Sequence, residues 1–380
     1  MKLTAEMEQY ASSMKETCEQ FLRELAVIPA PSHHEEKRVA YVKDWMEKNG
    51  AEGVYVDEAL NVIWPINVTA DNDLYVFMAH TDVVFPDTDP LPFHEDEEKM
   101  YAPGVGDDTA CLTNLLHAAK YFHDKKLRPE TGILIVANSC EEGLGNLKGS
   151  RRIIDDFGSR VKGLITVDGG LKHIVTRAVG SHRYRVTVKT EGGHSYGAFG
   201  NRNAIAYLAS MITTLYDMKV PAKAGTKTTY NVGVIEGGTS VNTICQEASM
   251  LYEYRSDDME CLDTMKNMFE KVTEAYRAMG IGVEVTLLGE RPCGAEFNEE
   301  EYEAFLKPVL EAAKDTLDLV PVRDSGSTDA NYPLSKGIPA VCVGGCLSSG
   351  AHTRGEFVYK ASMTDGLRYV MSMMAPFFGL

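Results

Sequence analysis

The sequence predicts an α/β fold whose main sheet is mostly parallel. Three apolar runs carry this prediction, at residues 74–79, 132–137 and 163–167, and a stretch with helical periodicity separates each run from the next. Runs without alternating polar residues are typical of strands that helices cover on both faces. A fourth run of this kind lies near the end, at residues 340–344. Strands that alternate with helices in this way indicate a parallel sheet with helices on both sides.

The middle of the chain follows a different pattern. Residues 182–190 alternate between polar and apolar side chains, which is typical of a strand with one solvent-facing side. From there the elements are predicted in the order β-α-β-β-α-β, as in a ferredoxin-like α+β module. We therefore expect a module inserted into the main domain. The predicted boundaries are residues 1–178 and 291–380 for the main domain and 179–290 for the inserted one.

The charge balance is acidic, with 55 acidic against 38 basic residues and a formal net charge of −17 over 380 residues. This argues against a nucleic-acid partner, since phosphates are bound by basic surfaces. No run of eighteen apolar residues indicates a membrane span, and the first residues lack the apolar segment of a signal peptide. We therefore expect a cytoplasmic protein without a membrane partner, whose eight scattered cysteines are buried free thiols.

Two local expectations concern loops. Ser32, with Glu35 three residues later, fits the capping-box pattern, so Ser32 is expected to cap the helix predicted at residues 36–49. Residues 86–100 are polar and rich in proline, and they are expected to form a loop that is too long to be structureless without a reason.

Histidines and carboxylates follow the predicted strands or lie in glycine-bounded turns. These candidate residues are His80, Asp82, Asp107, Glu141, Glu142, Asp168 and His352. Taken alone, a His-x-Asp triplet is more often bonded within its own loop, and a Glu-Glu pair is more often a solvated turn. Together, two histidines and three carboxylates suffice for two metal ions that share one carboxylate. One glutamate of the pair would then bind metal while its neighbour takes a proton.

Seven motifs resemble those of one family, in the family's order and over nearly the whole chain. The motifs are AHTDV (79–83), GVGDD (104–108), EEG (141–143), VDGG (167–170), GGHS (192–195), STDA (327–330) and AHT (351–353). The family they resemble is the co-catalytic di-zinc metallopeptidase family that includes peptidase T, aminoacylase, glutamate carboxypeptidase and succinyl-diaminopimelate desuccinylase.

The resemblance implies two Zn²⁺ ions per chain, for which Co²⁺ or Mn²⁺ could substitute. The implied ligand sets are His80, Asp107 and Asp168 for one ion, and Glu142, Asp107 and His352 for the other, with Asp107 as the bridge. It also implies a cis peptide bond at Asp107-Asp108.

The implied catalytic residues are Glu141, Asp82 and His194. Glu141 resembles the general base that activates water, and Asp82 resembles the residue that holds the His80 imidazole. The inserted module resembles a lid and dimerisation domain, so a homodimer is expected. His194 resembles a histidine that reaches the scissile carbonyl oxygen, often from the partner subunit; alone it would be a turn histidine among glycines.

Two further residues resemble substrate ligands. Asn242 and Arg255 match positions that bind the substrate's carboxylate, although Arg255 is equally compatible with an ordinary strand arginine. After His352 the family often has Asp-Glu, whereas this chain has Gly355-Glu356 and keeps only the glutamate.

The resemblance implies a zinc peptidase acting on short peptides, an aminopeptidase or a di- or tripeptidase. Asp168 favours this branch, because the acylase and carboxypeptidase branch has glutamate there. The alternative is a deacylase of N-acyl amino acids with the same metals. A non-catalytic binding protein on the same scaffold is disfavoured, because the general base Glu141 is present.

Overall fold

The structure is a computed structural model that describes residues 2–380. Its α-helices over those residues are α1 (Ala5–Ser13), α2 (Lys15–Ala26), α3 (Glu36–Lys48), α4 (Ala110–Asp124), α5 (Lys148–Phe157), α6 (Ala204–Asp217), α7 (Met259–Ala278), α8 (Glu299–Leu317), α9 (Asn331–Ser335) and α10 (Lys360–Met374). Its strands are β1 (Tyr55–Val56), β2 (Val62–Ile66), β3 (Leu74–His80), β4 (His94–Glu95), β5 (Lys99–Tyr101), β6 (Gly132–Asn138), β7 (Val161–Val167), β8 (His173–Ala178), β9 (Gly180–Lys189), β10 (Gly193–His194), β11 (Thr228–Gly237), β12 (Thr243–Ile244), β13 (Glu247–Ser256), β14 (Gly282–Arg291), β15 (Val322–Gly326), β16 (Ala340–Val343), β17 (Ser348–Ser349) and β18 (Phe357–Tyr359).

The largest sheet has the strand order β1-β2-β6-β3-β7-β16-β8-β15. Its four central strands, β6, β3, β7 and β16, run parallel to one another, while β2 and β8 pair antiparallel to the outer two of them. Every residue of β6 and β16 is buried. Continuous burial explains why these strands are continuous apolar runs in the sequence. The predicted α/β class with a mostly parallel central sheet is confirmed.

The carboxyl ends of the central strands lie side by side. The last residue of β3, His80, is paired with the last residue of β6, Asn138. Strand β7 ends at Val167, directly before Asp168. Parallel strands deliver the residues that follow them to the same edge of the sheet, where α/β proteins bind their ligands.

The chain forms two compact units, one reaching to Arg177 and resuming at Ala295, and the other spanning Ala178–Gly294. The second unit has an antiparallel sheet of strand order β11-β13-β9-β14, with α6 after β9 and α7 after β13. This order is that of a ferredoxin-like module. The unit has its own core, in which the rings of Tyr184 and Tyr252 stack on Phe269. A role for it as lid or dimerisation domain stays a prediction.

The structure corrects both expectations about loops. Ser32 does not cap α3, which begins at Glu36; its hydroxyl donates to the Asp82 carboxylate at 2.7 Å, a charged and therefore stronger acceptor. Residues 86–100 are not a loop throughout, because β4 and the start of β5 lie within them and belong to a small antiparallel sheet of order β17-β18-β5-β4.

Two observations concern the remaining expectations. The cysteines are all described, and each is a buried free thiol, as predicted. Among the described residues, no helix is both long enough and apolar enough to cross a membrane.

Candidate metal centre

His80 is fixed by Asp82 at the end of β3. Both residues are buried. The His80 Nδ1 atom lies 3.0 Å from the Asp82 carbonyl oxygen and 3.4 Å from its carboxylate oxygen Oδ1. With only acceptors facing it, Nδ1 carries a proton and donates. The Nε2 atom is therefore the ring nitrogen that faces the other candidate ligands.

Asp107 lies between two histidines. One of its carboxylate oxygens, Oδ1, is 3.1 Å from His80 Nε2, and the other, Oδ2, is 3.2 Å from His352 Nε2. The same His352 atom is 3.1 Å from Glu142 Oε1. The side chains of His80 and His352 are separated by 272 positions in the sequence, yet a single carboxylate contacts both of them.

These contacts define two groups of potential metal ligands that share Asp107. Within each group, one donor atom per residue lies within 4.8 Å of the others. The groups are His80, Asp107 and Asp168, and Asp107, Glu142 and His352. All five predicted ligands are thus brought together, in the two sets that the resemblance implied. Imidazole nitrogens and carboxylate oxygens at this spacing fit a divalent cation such as zinc.

Crowding of carboxylates in this cluster raises the pKa values of two histidines and one aspartate. Burial opposes a charge on His80, but its hydrogen bonds to Asp107 and Asp82 raise the pKa of the imidazole well above its ordinary value. Hydrogen bonds to Asp107 and Glu142 raise the pKa of His352 to about 10. Burial, together with the charge of Asp107, raises the pKa of Asp168 to about 7. The excess of negative charge that these carboxylates place at one point favours the binding of a cation there.

A tight turn presents Asp107. Gly104 has φ +73°, and a side chain there would meet Val83 Cγ1 at 2.2 Å. The cis peptide bond expected at Asp107-Asp108 is present. The backbone N–H groups of Gly104, Gly106 and Asp107 all donate to the Glu356 carboxylate, at 2.8–2.9 Å. The glutamate that this chain keeps after His352 therefore holds the turn that carries the shared ligand.

Glu141 and Glu142 are buried, so they do not form a solvated turn. Their backbone N–H groups donate to the two oxygens of Asp82, at 3.0 and 2.9 Å. Asp82 therefore orients the loop after β6 as well as the imidazole of His80.

His194, Asn242 and Arg255 belong to the second unit. His194 pairs with Thr243 between β10 and β12, and the Asn242 carbonyl oxygen accepts from Ser195 N at 2.9 Å. The Arg255 guanidinium contacts the Glu253 carboxylate through two nitrogens, at 3.0 and 3.1 Å.

Asn242 precedes β13, and Arg255 lies within that strand. Strand β13 begins at Glu247, opposite Lys189, and Arg255 lies near its other end, opposite Ser181. Eight residues of strand span roughly 26 Å at 3.3 Å per residue.

Sequence reasoning missed three residues around the centre, Ser32, Glu35 and Arg38. Arg38 is buried, and its guanidinium donates to the Thr81 carbonyl oxygen at 3.0 Å and to the Thr109 hydroxyl at 3.1 Å. It thus joins the end of β3 to the segment that precedes α4. A helix pattern alone carries no signal for a buried arginine.

The sheet with histidines and carboxylates at its carboxyl edge is the architecture of a metal-dependent hydrolase. A family model, that of Peptidase family M20/M25/M40, matches residues 76–375. The chain belongs to this family, whose peptidases depend on metal ions, and it is a hydrolase acting on peptide bonds.

Individual relatives are distant in sequence. The uncharacterized protein YqjE of Bacillus subtilis (strain 168) is 26% identical over 353 residues, which cover 86% of this chain and 89% of YqjE. A tripeptidase of Staphylococcus aureus subsp. aureus Mu50 superposes with a TM-score of 0.78 at 22% identity, covering 96% of this chain and 99% of its own. The aminopeptidase PepT of Bacillus cereus ATCC 10987 superposes with a TM-score of 0.71 at 21% identity, covering 96% of this chain and 98% of PepT. These structures share the fold.

Proposed function

We propose that the chain binds two zinc ions and hydrolyses the peptide bond next to a free N-terminus in di- or tripeptides. The observation that carries the proposal is the position of Asp107, whose two carboxylate oxygens each face a different histidine. Asp168 and Glu142 complete one group each. Two cations held close together need such a shared anion between them.

The residues around the ions have separable tasks. Zinc held there would polarise the scissile carbonyl and lower the pKa of a water. Glu141 accepts a proton from the attacking water and later gives it to the leaving amine. Asp82 keeps the proton of His80 on Nδ1, so that Nε2 offers its lone pair. Glu142 supplies a ligand from the position next to the base, and Asp82 fixes both backbone N–H groups.

His194 is proposed to donate a hydrogen bond to the scissile carbonyl oxygen. Its Nδ1 atom accepts from Tyr196 N at 3.3 Å and Gly197 N at 3.2 Å. The proton of the neutral ring is therefore on Nε2, which is a donor. A donor that faces a carbonyl oxygen stabilises the charge that develops there as water attacks.

A homodimer is proposed to complete the site. Arg255 lies near the end of β13, whereas Asn242 precedes the start of that strand, which supports a site to which different subunits supply these two residues. Strand β11 is at an edge of its sheet and exposes Val234 and Ile235. An exposed apolar edge strand favours pairing with a second copy. In that dimer, His194 would act on the metal centre of the partner subunit.

The alternative function is a deacylase of N-acyl amino acids with the same ions and base. Preference for a free N-terminus distinguishes the two. We expect acetylation of a good di- or tripeptide to lower kcat/KM by about 100-fold, because a group that binds the substrate ammonium would lose its partner.

The test compares each peptide with its acetylated twin at equal zinc content. Faster hydrolysis of the acetylated series would contradict the peptidase function and favour the deacylase function. Elemental analysis should give two zinc ions per chain after saturation, and a value of one or none would contradict the paired site. Zinc binding without hydrolysis of either series would contradict both candidate substrate classes.

A further inference from the structure

The loop after β6, which carries Glu141 and Glu142, begins with an unusual conformation. Cys140 has φ +59°, although it is not a glycine. The chain therefore leaves the sheet abruptly, and the N–H groups of residues 140, 141 and 142 do not continue the ladder of β6. Buried N–H groups need acceptors, and here those acceptors must come from elsewhere in the chain.

Two buried carboxylates supply them. The N–H groups of Glu141 and Glu142 donate to Asp82, as described above, and the Cys140 N–H donates to Glu35 Oε1 at 3.0 Å. The side chains of Glu35 and Asp82 are both fully buried. Three consecutive backbone donors are thus held by two side chains from different parts of the sequence.

The segment that carries Glu35 contacts this loop at other points as well. The Ser32 hydroxyl, which donates to Asp82, also lies 3.3 Å from the Glu142 carbonyl oxygen. The His33 Nε2 atom lies 3.3 Å from the Leu144 carbonyl oxygen. Glu35 therefore contacts the loop at its beginning, Ser32 in its middle and His33 at its end.

Simpler roles for Glu35 and Cys140 do not fit these contacts. Glu35 precedes α3, but no hydrogen bond from its side chain caps that helix. Besides the Cys140 N–H it accepts from the His33 N–H and from the Cys140 thiol, at 3.1 and 3.2 Å. Burial raises the pKa of that thiol well above its usual range, which makes Cys140 a poor nucleophile.

We propose that Glu35 is a positioning residue for the metal centre. Its Oε1 atom accepts from the Cys140 N–H and thereby fixes the direction of the backbone that carries Glu141 and Glu142 away from β6. The expected loss of activity in Glu35 variants rests on the proposed function, in which Glu141 is the base. The expected loss of order in this backbone segment does not depend on it.

Hydrogen–deuterium exchange of the purified full-length protein tests the backbone part. In Glu35→Ala, amides of residues 139–145 should exchange at least 10-fold faster than in the wild type, because the Cys140 N–H loses its acceptor. In Glu35→Gln the amide oxygen replaces Oε1, and protection should be retained. Asn298→Ala is the matched control: it removes another side chain that accepts a backbone N–H, that of Glu301 at 3.2 Å, at the start of α8. It should leave residues 139–145 unchanged.

Steady-state kinetics at full zinc occupancy tests the catalytic part. Glu35→Ala should lower kcat by about 100-fold and change KM less than about 3-fold, since a displaced base affects the chemical step more than binding. Glu35→Gln should restore most of kcat, and Asn298→Ala should match the wild type. The proposal would be overturned if Glu35→Ala had the exchange rates and the kcat of the wild type. It would also be overturned if Glu35→Gln and Glu35→Ala changed exchange and kcat equally. If the wild type hydrolyses neither peptides nor acyl amino acids, the proposed function fails, while the exchange experiment still decides whether Glu35 positions the loop.

Discussion

At the scale of single residues, the centre depends on carboxylates that differ in what they contact. Asp107 offers one oxygen to each of two histidines, whereas Asp82 turns its oxygens to backbone N–H groups. The first arrangement suits a bridge between cations, and the second orients neighbouring ligands. Chemically identical groups thus have different roles because their surroundings differ.

The neighbours Glu141 and Glu142 should respond differently to the same substitution. Glu141→Gln should bind both zinc ions and lose kcat by about 1000-fold or more, because an amide cannot accept the proton of water. Glu142→Gln should weaken the group that includes His352, whose Nε2 atom is 3.1 Å from Glu142 Oε1. Zinc content after dialysis and kcat at saturating zinc measure the two effects. If both variants kept zinc and activity alike, the assignment would be wrong.

At the scale of elements, the turn before α4 depends on a residue far along the chain. Glu356 accepts three N–H groups of this turn, including that of Asp107. Glu356→Ala should weaken binding of both ions by about 10- to 100-fold, because the displaced Asp107 belongs to both groups. Competition against a chelator measures the two affinities. Loss of one ion alone would show that Glu356 does not act through Asp107.

Helix α4 contains a histidine that should make stability depend on pH. His117 is buried, its Nδ1 donates to the Thr113 carbonyl oxygen at 2.8 Å, and its ring packs against Phe21 and Trp45. Burial lowers the pKa of His117 to about 4, against about 6.5 in an unfolded chain. Between those values the unfolded state binds a proton that the folded state does not, so acid favours unfolding.

The sign and size of this effect can be measured. As pH falls from about 6.5 to about 4, His117 should lower the free energy of unfolding by about 3 kcal/mol in total, and above pH 6.5 it should have no effect. His117→Leu lacks this contribution and should lose less stability than the wild type. Urea unfolding of both proteins at pH 7 and pH 5 gives the comparison. Equal losses in the two proteins would show that His117 is not the group responsible.

At the scale of the whole molecule, the chain has two units, each with its own core. The main unit carries both candidate ligand groups and Glu141, while the other carries His194, Asn242 and Arg255. If His194 acts on the partner's metal centre, a dimer of one His194→Ala subunit and one Glu141→Gln subunit contains one complete site.

Mixing these two inactive variants should therefore restore activity, up to about one half per heterodimer. Subunit exchange is achieved by dilution and reconcentration, and it is followed with differently tagged subunits. Mixing wild type with Glu141→Gln gives the control for exchange. A protein that is monomeric and fully active at the assay concentration would contradict the dimer, and so would heterodimers that stay inactive.

The sequence by itself determined the fold class and seven candidate site residues, which the family resemblance divided into five ligands, a base and a residue that orients His80. This was possible because a strand buried on both faces must be continuously apolar, as β6 is, and the residues that follow such strands meet at one edge of the sheet. His80, the Glu141-Glu142 pair and Asp168 could be selected in this way from their positions, while Asp107 and His352 lie in glycine-bounded turns; only the family resemblance assigned the metal to Glu142 and the proton transfer to Glu141.

Only the tertiary structure decided how these residues are held. Ser32 and Glu35 fit a helix-capping pattern, yet their side chains contact Asp82 and Cys140. Glu356 accepts from the Asp107 N–H across 249 positions of sequence. Local pattern gives the partners that are near in the chain, whereas a buried N–H takes whichever acceptor the packed fold brings within 3 Å. Which acceptor that is depends on how the strands are arranged in the sheet, and a short segment of sequence carries no information about that arrangement.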